Sequence, residues 1–306
     1  MKDKKLRTLI ALPVVVLVGA LLALAGSDGG ALMGPIPVFT LAVAAAFLIQ
    51  WIAFIPSFLN QTEKYYDLTG TLTYTAITLL ALFAVPEIHG RSLLLAFMVL
   101  AWTLRLGSFL FRRISRAGKD DRFDEIKPSF VRFLGVWTIQ GLWVTFTAAA
   151  AWVAMTSNNP GALDGFALVG FIIWGVGFSL EIVADQQKAR FNREPSNKGQ
   201  FIATGLWSKS RHPNYFGEIL LWVGVAIVAL PALQGWQWVV VISPVFVALL
   251  LIKISGIPLL EKKADSKWGG QVDYEAYKEN TPVLIPKILV GTRNSRMVPN
   301  RKRNMP

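Results

Sequence analysis

The sequence predicts an all-α protein, a polytopic membrane helix bundle of about eight transmembrane helices. Three observations predict it. Of the 306 residues, 53% are hydrophobic and only 16% charged, against about 25% charged in an ordinary soluble domain. Apolar runs long enough, or nearly so, for a hydrocarbon core of roughly 30 Å alternate with short polar segments, and mean hydropathy is +0.46. The basic residues then fall on one side of those runs, as membrane topology requires.

The runs extend from Leu9 to Ala25, Val38 to Phe58, Leu72 to Val85, Leu93 to Phe111, Phe133 to Met155, Phe166 to Val183, Tyr215 to Leu230 and Trp236 to Ile254. The first follows a basic start and ends in Ala23-Leu24-Ala25 before Gly26-Ser27, so it reads as a retained membrane helix or as a secretory signal. The third is short and Thr-rich; it either extends outward through Asp67 to Thr71 or packs inside the bundle. No tandem repeat or low-complexity stretch interrupts the series. The chain divides into residues 1–35, an N-terminal helix or signal-like segment with its loop, a membrane domain at 36–290, and a basic tail at 291–306.

Lys and Arg number 31 against 19 Asp and Glu, a net charge of +12. The N-terminal stretch, the loops after the second, fourth and sixth runs, and the tail from Lys253 onward carry 29 of those 31 bases. The intervening loops carry Arg91 alone. Eight helices with both termini cytoplasmic, in a bacterial inner membrane, account for the excess. The charge is therefore a topology signal, the partner is the lipid bilayer, and no nucleic acid is expected. There is no cysteine, and His89 and His212 are the only histidines, so disulfides, thiolate chemistry and a histidine-built metal centre are excluded or disfavoured. No metal is expected.

The polar mass gathers at one face, and candidate chemistry gathers there with it. Glu181, Asp185 and Lys188 share one face of the sixth helix, with Glu181 a full turn inside an apolar run. Intramembrane acids are functional candidates; the plainer alternative is that they pair with Lys188 and Arg190 at the interface. In Gly205 to Glu218, GLWSKSRHPNYFGE, Pro213 suits a first helical turn. The free backbone donors there, beside Lys209 and Arg211, suit a phosphate. Asn214, Glu218 and Trp222 follow at one-turn spacing. The tail segment Pro258 to Pro286 holds Tyr274 and Tyr277 between charges, either as an amphipathic surface segment or as a lid. Arg105 interrupts the fourth run, as a snorkelling residue or as a buried cation. Tyr65, Tyr66 and Asp67 belong to a polar cluster after the second run, and Tyr and Asp can act as general acids. Gly175-Val176-Gly177 lies inside a membrane run and is no dinucleotide fingerprint.

The block SRHPNYFGE, preceded by GLW and followed by a Trp-containing helix and a tail ending YEAYKENTPVLIP, resembles the steroid 5-alpha-reductase C-terminal superfamily. LEIVADQQKARF, WTLRLGSFLFRRI, GKDDRF and DLTG resemble its bacterial branch of inner-membrane proteins, over about Val38 to Pro286. The resemblance implies a seven-helix reductase-like core plus the N-terminal helix, with NADPH entering from the cytoplasmic face among the last three helices. It places Asn214 and Glu218 on the seventh-helix motif and Asp185 on a cofactor-contacting Asp. Glu181 falls where steroid reductases carry Asn, and Tyr274 and Tyr277 match the tail region loosely. Phe54 and Trp102 stand where steroid reductases carry the Glu and Tyr that polarise a ketone, so a steroid itself is not implied.

The expected cofactor-binding set is Glu181, Asp185, Lys188, Arg190, Lys209, Arg211, His212, Asn214, Tyr215, Glu218, Tyr274 and Tyr277. The expected catalytic set is Tyr65, Tyr66, Asp67 and Arg105. Together they predict an NADPH-dependent reductase of a C=C bond in a lipophilic enone, sterol-like or isoprenoid-like. An S-adenosylmethionine-dependent methyltransferase of a membrane lipid or prenyl-type substrate stands as the alternative, because the RHPxYxG block is shared with isoprenylcysteine methyltransferases; here Glu261 stands without the second acid of their pair. A transporter or structural membrane protein is the third reading.

Overall fold

The computed structural model describes residues 2–117, 123–159 and 161–287; the bases Lys119 and Arg122 and the tail expected at 291–306 lie outside them. The described chain is a helix bundle with a single two-residue hairpin, β1 (Leu32–Met33) and β2 (Ile36–Pro37). Its main helices are α1 (Lys2–Gly26), α2 (Val38–Leu59), α3 (Tyr66–Phe83), α4 (Gly90–Ala117), α5 (Phe130–Met155), α6 (Gly165–Arg193) and α7 (Pro213–Ala229). Short helices α8 (Ser243–Leu249), α9 (Ile257–Trp268) and α10 (Val272–Asn280) complete it. Among the described residues, seven helical segments are long and apolar enough to cross a membrane.

The eighth expected span is α3, and it is the exception to simple hydropathy. It begins at Tyr66 rather than Leu72, includes Asp67 to Thr71, and packs inside the bundle with Thr69, Thr73, Ile77 and Ala81 buried along one face. Its threonines are tolerated there because they satisfy themselves locally: Thr69, Thr71, Thr73 and Thr75 each donate to the carbonyl four residues back, at 2.7 to 3.1 Å. A hydroxyl bonded this way carries no unmet polar group into an apolar interior. Gln50 of α2 donates to the Thr73 hydroxyl at 2.8 Å, and Trp152 of α5 donates to Thr78 at 3.0 Å. Both bonds fix the rotation of α3 against its neighbours.

The last apolar segment, Gly235–Trp268, is not one regular helix. A 3-10 stretch (Gly235–Ile242) leads into α8, a π-helical turn (Leu250–Ile254) follows, and α9 begins after Gly256. Pro244 sits in the first turn of α8, where its missing N–H costs nothing.

Arg91, the lone base of the far loops, is a structural clamp. Its side chain is 1% exposed and donates to the carbonyls of Val228 and Ala162, each at 2.5 Å, with Asp164 at 3.1 Å. Asp164 also caps α6 by accepting from the Ala167 amide at 3.0 Å; that bond first, and Arg91 after it, hold its carboxyl below the usual carboxylate range. The hairpin end is tied alongside, with the Ala31 amide donating to Thr156 and the Trp236 amide to Asp28.

The tightest helix pair is α6 and α7, and glycines set it. A Cβ at Gly177 would lie 2.5 Å from the Leu221 amide and 2.6 Å from the Gly217 carbonyl, while one at Gly217 would lie 2.7 Å from the Glu181 amide. Gly170 and Gly224 repeat the contact two turns away at 2.6 Å. Small residues of this kind let membrane helices approach backbone to backbone. Gly177→Ala is therefore expected to lower stability by about 1–3 kcal/mol through overpacking. Gly175→Ala, whose Cβ meets nothing within 4 Å, is expected to be neutral or slightly stabilising; thermal unfolding of the two purified variants checks the pair.

Candidate functional site

Close contact of α6 and α7 brings the acids of one against the polar first turns of the other. Glu181 is 3% exposed, and its partner is neither Lys188 nor Arg190 but Arg105 of α4. One guanidinium nitrogen of Arg105 pairs with Glu181 and the other with Asp185. The plainer alternative from the sequence, pairing within α6, is thus replaced by a bridge between helices. It arises because an arginine and an acid, each more than three turns inside its helix, are costly alone in an apolar bundle. Asn214 completes the cluster by donating from Nδ2 to Asp185 at 3.2 Å. Lys188 lies instead over the Trp207 ring, its Nζ 4.4 Å from the centroid. Arg190 is on the exposed side of α6.

The SRHPNYFGE block is used residue by residue. Ser210 donates to the Leu284 carbonyl at 2.7 Å, and the Arg211 amide donates to Pro282 at 2.9 Å, so both hold the tail. The side chains of Arg211 and His212 converge on Glu261 of α9, at 2.8 and 2.7 Å. His212 stacks on Tyr215, the rings 5.7 Å apart and 9° from parallel. Pro213 starts α7, Gly217 permits the contact with α6, and Tyr215 and Glu218 face a cavity. The anion cradle expected beside Lys209 and Arg211 is in part neutralised already, since Glu261 takes the Arg211 charge.

That cavity encloses about 370 Å³, the scale of a small-molecule pocket. Tyr66, Asp67, Gly70, Thr71 and Tyr74 of α3 form one part of its lining, Trp102, Thr103 and Leu106 of α4 another. Phe123 before α5, Gln140 and Trp143 of α5, Tyr215 and Glu218 of α7, and Ser255 and Gly256 after the π-helical turn complete the polar and aromatic contributions. π-helical turns recur at functional sites, and this one opens the wall beside Gly256. Trp102 is wedged edge-on between Tyr74 and Trp222, at centroid distances of 5.2 and 4.9 Å. Phe54, the other position of the compared pair, does not line the cavity but belongs to an aromatic cluster with Phe133, Trp137 and the lining residue Phe123.

Of the expected catalytic residues, Tyr66 and Asp67 reach the cavity, Arg105 belongs to the acid cluster, and Tyr65 is 53% exposed and outside the lining. The Tyr66 phenol donates to the Val136 carbonyl at 3.3 Å, and its ring packs on Phe123 and Trp137. Tyr274 and Tyr277 hold the tail in place. Tyr277 donates to the Trp207 carbonyl at 2.7 Å; Tyr274 donates to Asp265 at 3.1 Å, and burial, with that bond, pushes its phenol up to about 12. At the same end Lys127 bonds Glu63 at 2.6 Å, which raises its ammonium above the usual range. Tyr74, Thr103, Gln140 and Trp143 were not singled out from the sequence. The available signal was the helical spacing of Tyr66, Gly70 and Tyr74, and of Asp67 and Thr71, along α3.

Residues 53–281 match the family described as "Protein of unknown function (DUF1295)". The chain belongs to that family. The match takes in the acid cluster, all lining residues of the cavity and the tail helices α9 and α10. This DUF1295 chain is also similar to the uncharacterized protein C594.04c of Schizosaccharomyces pombe, 26% identical over 176 residues, 48% of this chain and 51% of that protein. It is similar to the probable O-methyltransferase ustE of Ustilaginoidea virens, 36% identical over 80 residues, 26% of this chain and 28% of that protein. The matched stretches thus span about half or less of these relatives. No solved structure matches the chain.

Removing Arg105 would leave two carboxylates facing each other in an apolar interior. Arg105→Ala is expected to cost about 3–5 kcal/mol, as for other buried pairs broken on one side, whereas Tyr65→Phe is expected to change stability by less than about 0.5 kcal/mol. Thermal unfolding in one detergent checks both.

Proposed function

We propose that the protein is a membrane-embedded, NADPH-dependent reductase of a C=C bond in a lipophilic enone. One observation carries the reading: a single cavity of about 370 Å³ is lined both by Tyr66 and Asp67 of α3 and by Tyr215 and Glu218 of the SRHPNYFGE block. A proton-donating group and the block that resembles the reductase motif thereby share one chamber. The volume suits one small lipophilic molecule and the reactive end of a nucleotide, not a whole dinucleotide. The remainder belongs at the basic end, with Lys188, Lys209 and Arg211, which faces the cytoplasm in this proposal.

The residues present fit such a group. Glu181 Oε2, Asn214 Oδ1, His212 Nδ1 and Arg211 Nε are buried with no hydrogen-bond partner among the described residues. Unmet buried polar atoms of this kind are exceptional in folded proteins and call for a reason. Three acceptors suit carboxamide and ribose hydroxyl donors, and one guanidinium donor suits a phosphate. When bound, the nucleotide supplies a hydride. The Tyr66 phenol, exchanging its long bond to the Val136 carbonyl, then serves as the hydrogen-bond donor to the substrate oxygen on which negative charge develops. Asp67 orients it, and Arg105 positions Asp185, which holds Asn214. The apolar and aromatic walls keep water from the reacting carbon.

A second reading rests on the similarity to the probable O-methyltransferase ustE: a methyltransferase using S-adenosylmethionine at the same end of the bundle. The two separate in one experiment, because a ligand that binds only the folded state raises stability, by about 2.7 kcal/mol at one hundred times its Kd. Thermal unfolding of the protein with NADPH, NADH or S-adenosylmethionine is expected to show a dose-dependent rise with NADPH. Asp185→Ala and Asn214→Ala should abolish that rise while retaining a cooperative transition. A rise with S-adenosylmethionine alone would establish the second reading in its place.

A further inference from the structure

The chemistry of the cavity wall favours one kind of substrate head group. Six of its nineteen lining residues are aromatic, two are carboxylates, and none of the described ones is Lys, Arg or His. Glu218 faces this space with no hydrogen bond or ion pair to any described residue. The nearby cation, Arg105, is already engaged by Glu181 and Asp185, so three carboxylates share one guanidinium. The Gln140 side-chain oxygen adds a buried acceptor on the same wall with no partner among the described residues. A buried carboxyl in an apolar bundle is either neutralised by protonation or met by a countercharge; the protein supplies no direct countercharge to Glu218, so a cationic ligand is what would hold it ionised.

Aromatic faces with an unpaired carboxylate form the environment that recognises ammonium and quaternary ammonium groups. From this we infer that the cavity takes a lipophilic molecule bearing a cationic nitrogen, with its charge against Glu218 and the rings of Tyr74, Trp102 and Trp143. The same wall disfavours an anionic lipophile. The inference deepens the proposed function, resting on the cavity as the substrate chamber, and names a substrate class that a neutral enone alone would not require. Phosphates keep to the basic end, outside the acidic chamber.

A matched pair tests this without any nucleotide. Benzyltrimethylammonium and neopentylbenzene have the same shape and differ by one positive charge. Binding of the radiolabelled cation to the full chain in neutral-lipid nanodiscs, with neopentylbenzene and phenylmethanesulfonate as competitors, gives three affinities. The cation is expected to bind at least tenfold more tightly than its uncharged isostere, and the sulfonate not to compete. Glu218→Gln, which keeps the shape, should weaken the cation at least tenfold and leave the isostere within twofold. Equal affinities for the pair, tighter binding of the isostere, absence of cation binding, or an unchanged Glu218→Gln would overturn the inference. The wild-type comparison decides even if that variant does not fold. A stability rise with NADPH alongside equal affinities for the pair would leave the reductase reading standing and remove only the cationic substrate.

Discussion

One guanidinium organises the half of the bundle that holds the cavity. Arg105 reaches from α4 to Glu181 and Asp185 of α6, and α6 is fused to α7 by glycines that let the backbones touch. The acids are tolerable in the apolar interior because the arginine is there, and the arginine because the acids are. Asn214 and Glu218 acquire their positions from the same contact, since α7 cannot turn without driving a Cβ-free surface off Gly177. The cavity wall, the acid cluster and the seventh-helix motif are therefore parts of one mechanical unit.

A second constraint closes the basic end. Tail helices α9 and α10 return across the start of α7, and Glu261 binds both Arg211 and His212. The strand-like exit from α10 is pinned by backbone bonds from Arg211 to Pro282 and from Lys287 to Lys209. Through the ring stack of His212 on Tyr215, the tail is connected to the cavity wall itself. The tail and the cavity wall are thereby linked through the first turn of α7.

The cavity is placed where regular structure gives way. α3 is too polar to register as a simple apolar span, yet its hydroxyls are satisfied within the helix, so it can present Tyr66, Asp67 and Tyr74 to the interior. Across from the hydropathic spans, the π-helical turn ending near Ser255 leaves the wall without a continuous side-chain ridge. Polar groups gather there without breaking the bundle because each helix pays its own backbone hydrogen-bonding requirement.

The sequence by itself determined the all-α bundle and seven of its apolar spans, because hydropathy runs report on local transfer between water and lipid. It also singled out Glu181 and Glu218, since a polar residue inside an apolar run is conspicuous wherever it ends up, and Asp185 and Asn214 one turn from them on the same helix faces. It did not determine that Arg105 is the partner of Glu181, 76 residues away, nor that Arg91, the lone base of the far loops, is a clamp. Tyr74, Gln140 and Trp143 were equally illegible as cavity residues, because each fits an ordinary membrane helix. Those assignments depend on helix rotation and crossing, which small residues such as Gly177 and Gly217 set through contacts between distant segments. Only the tertiary structure decides them, for pairing energy in an apolar interior follows distance in space and not separation along the chain.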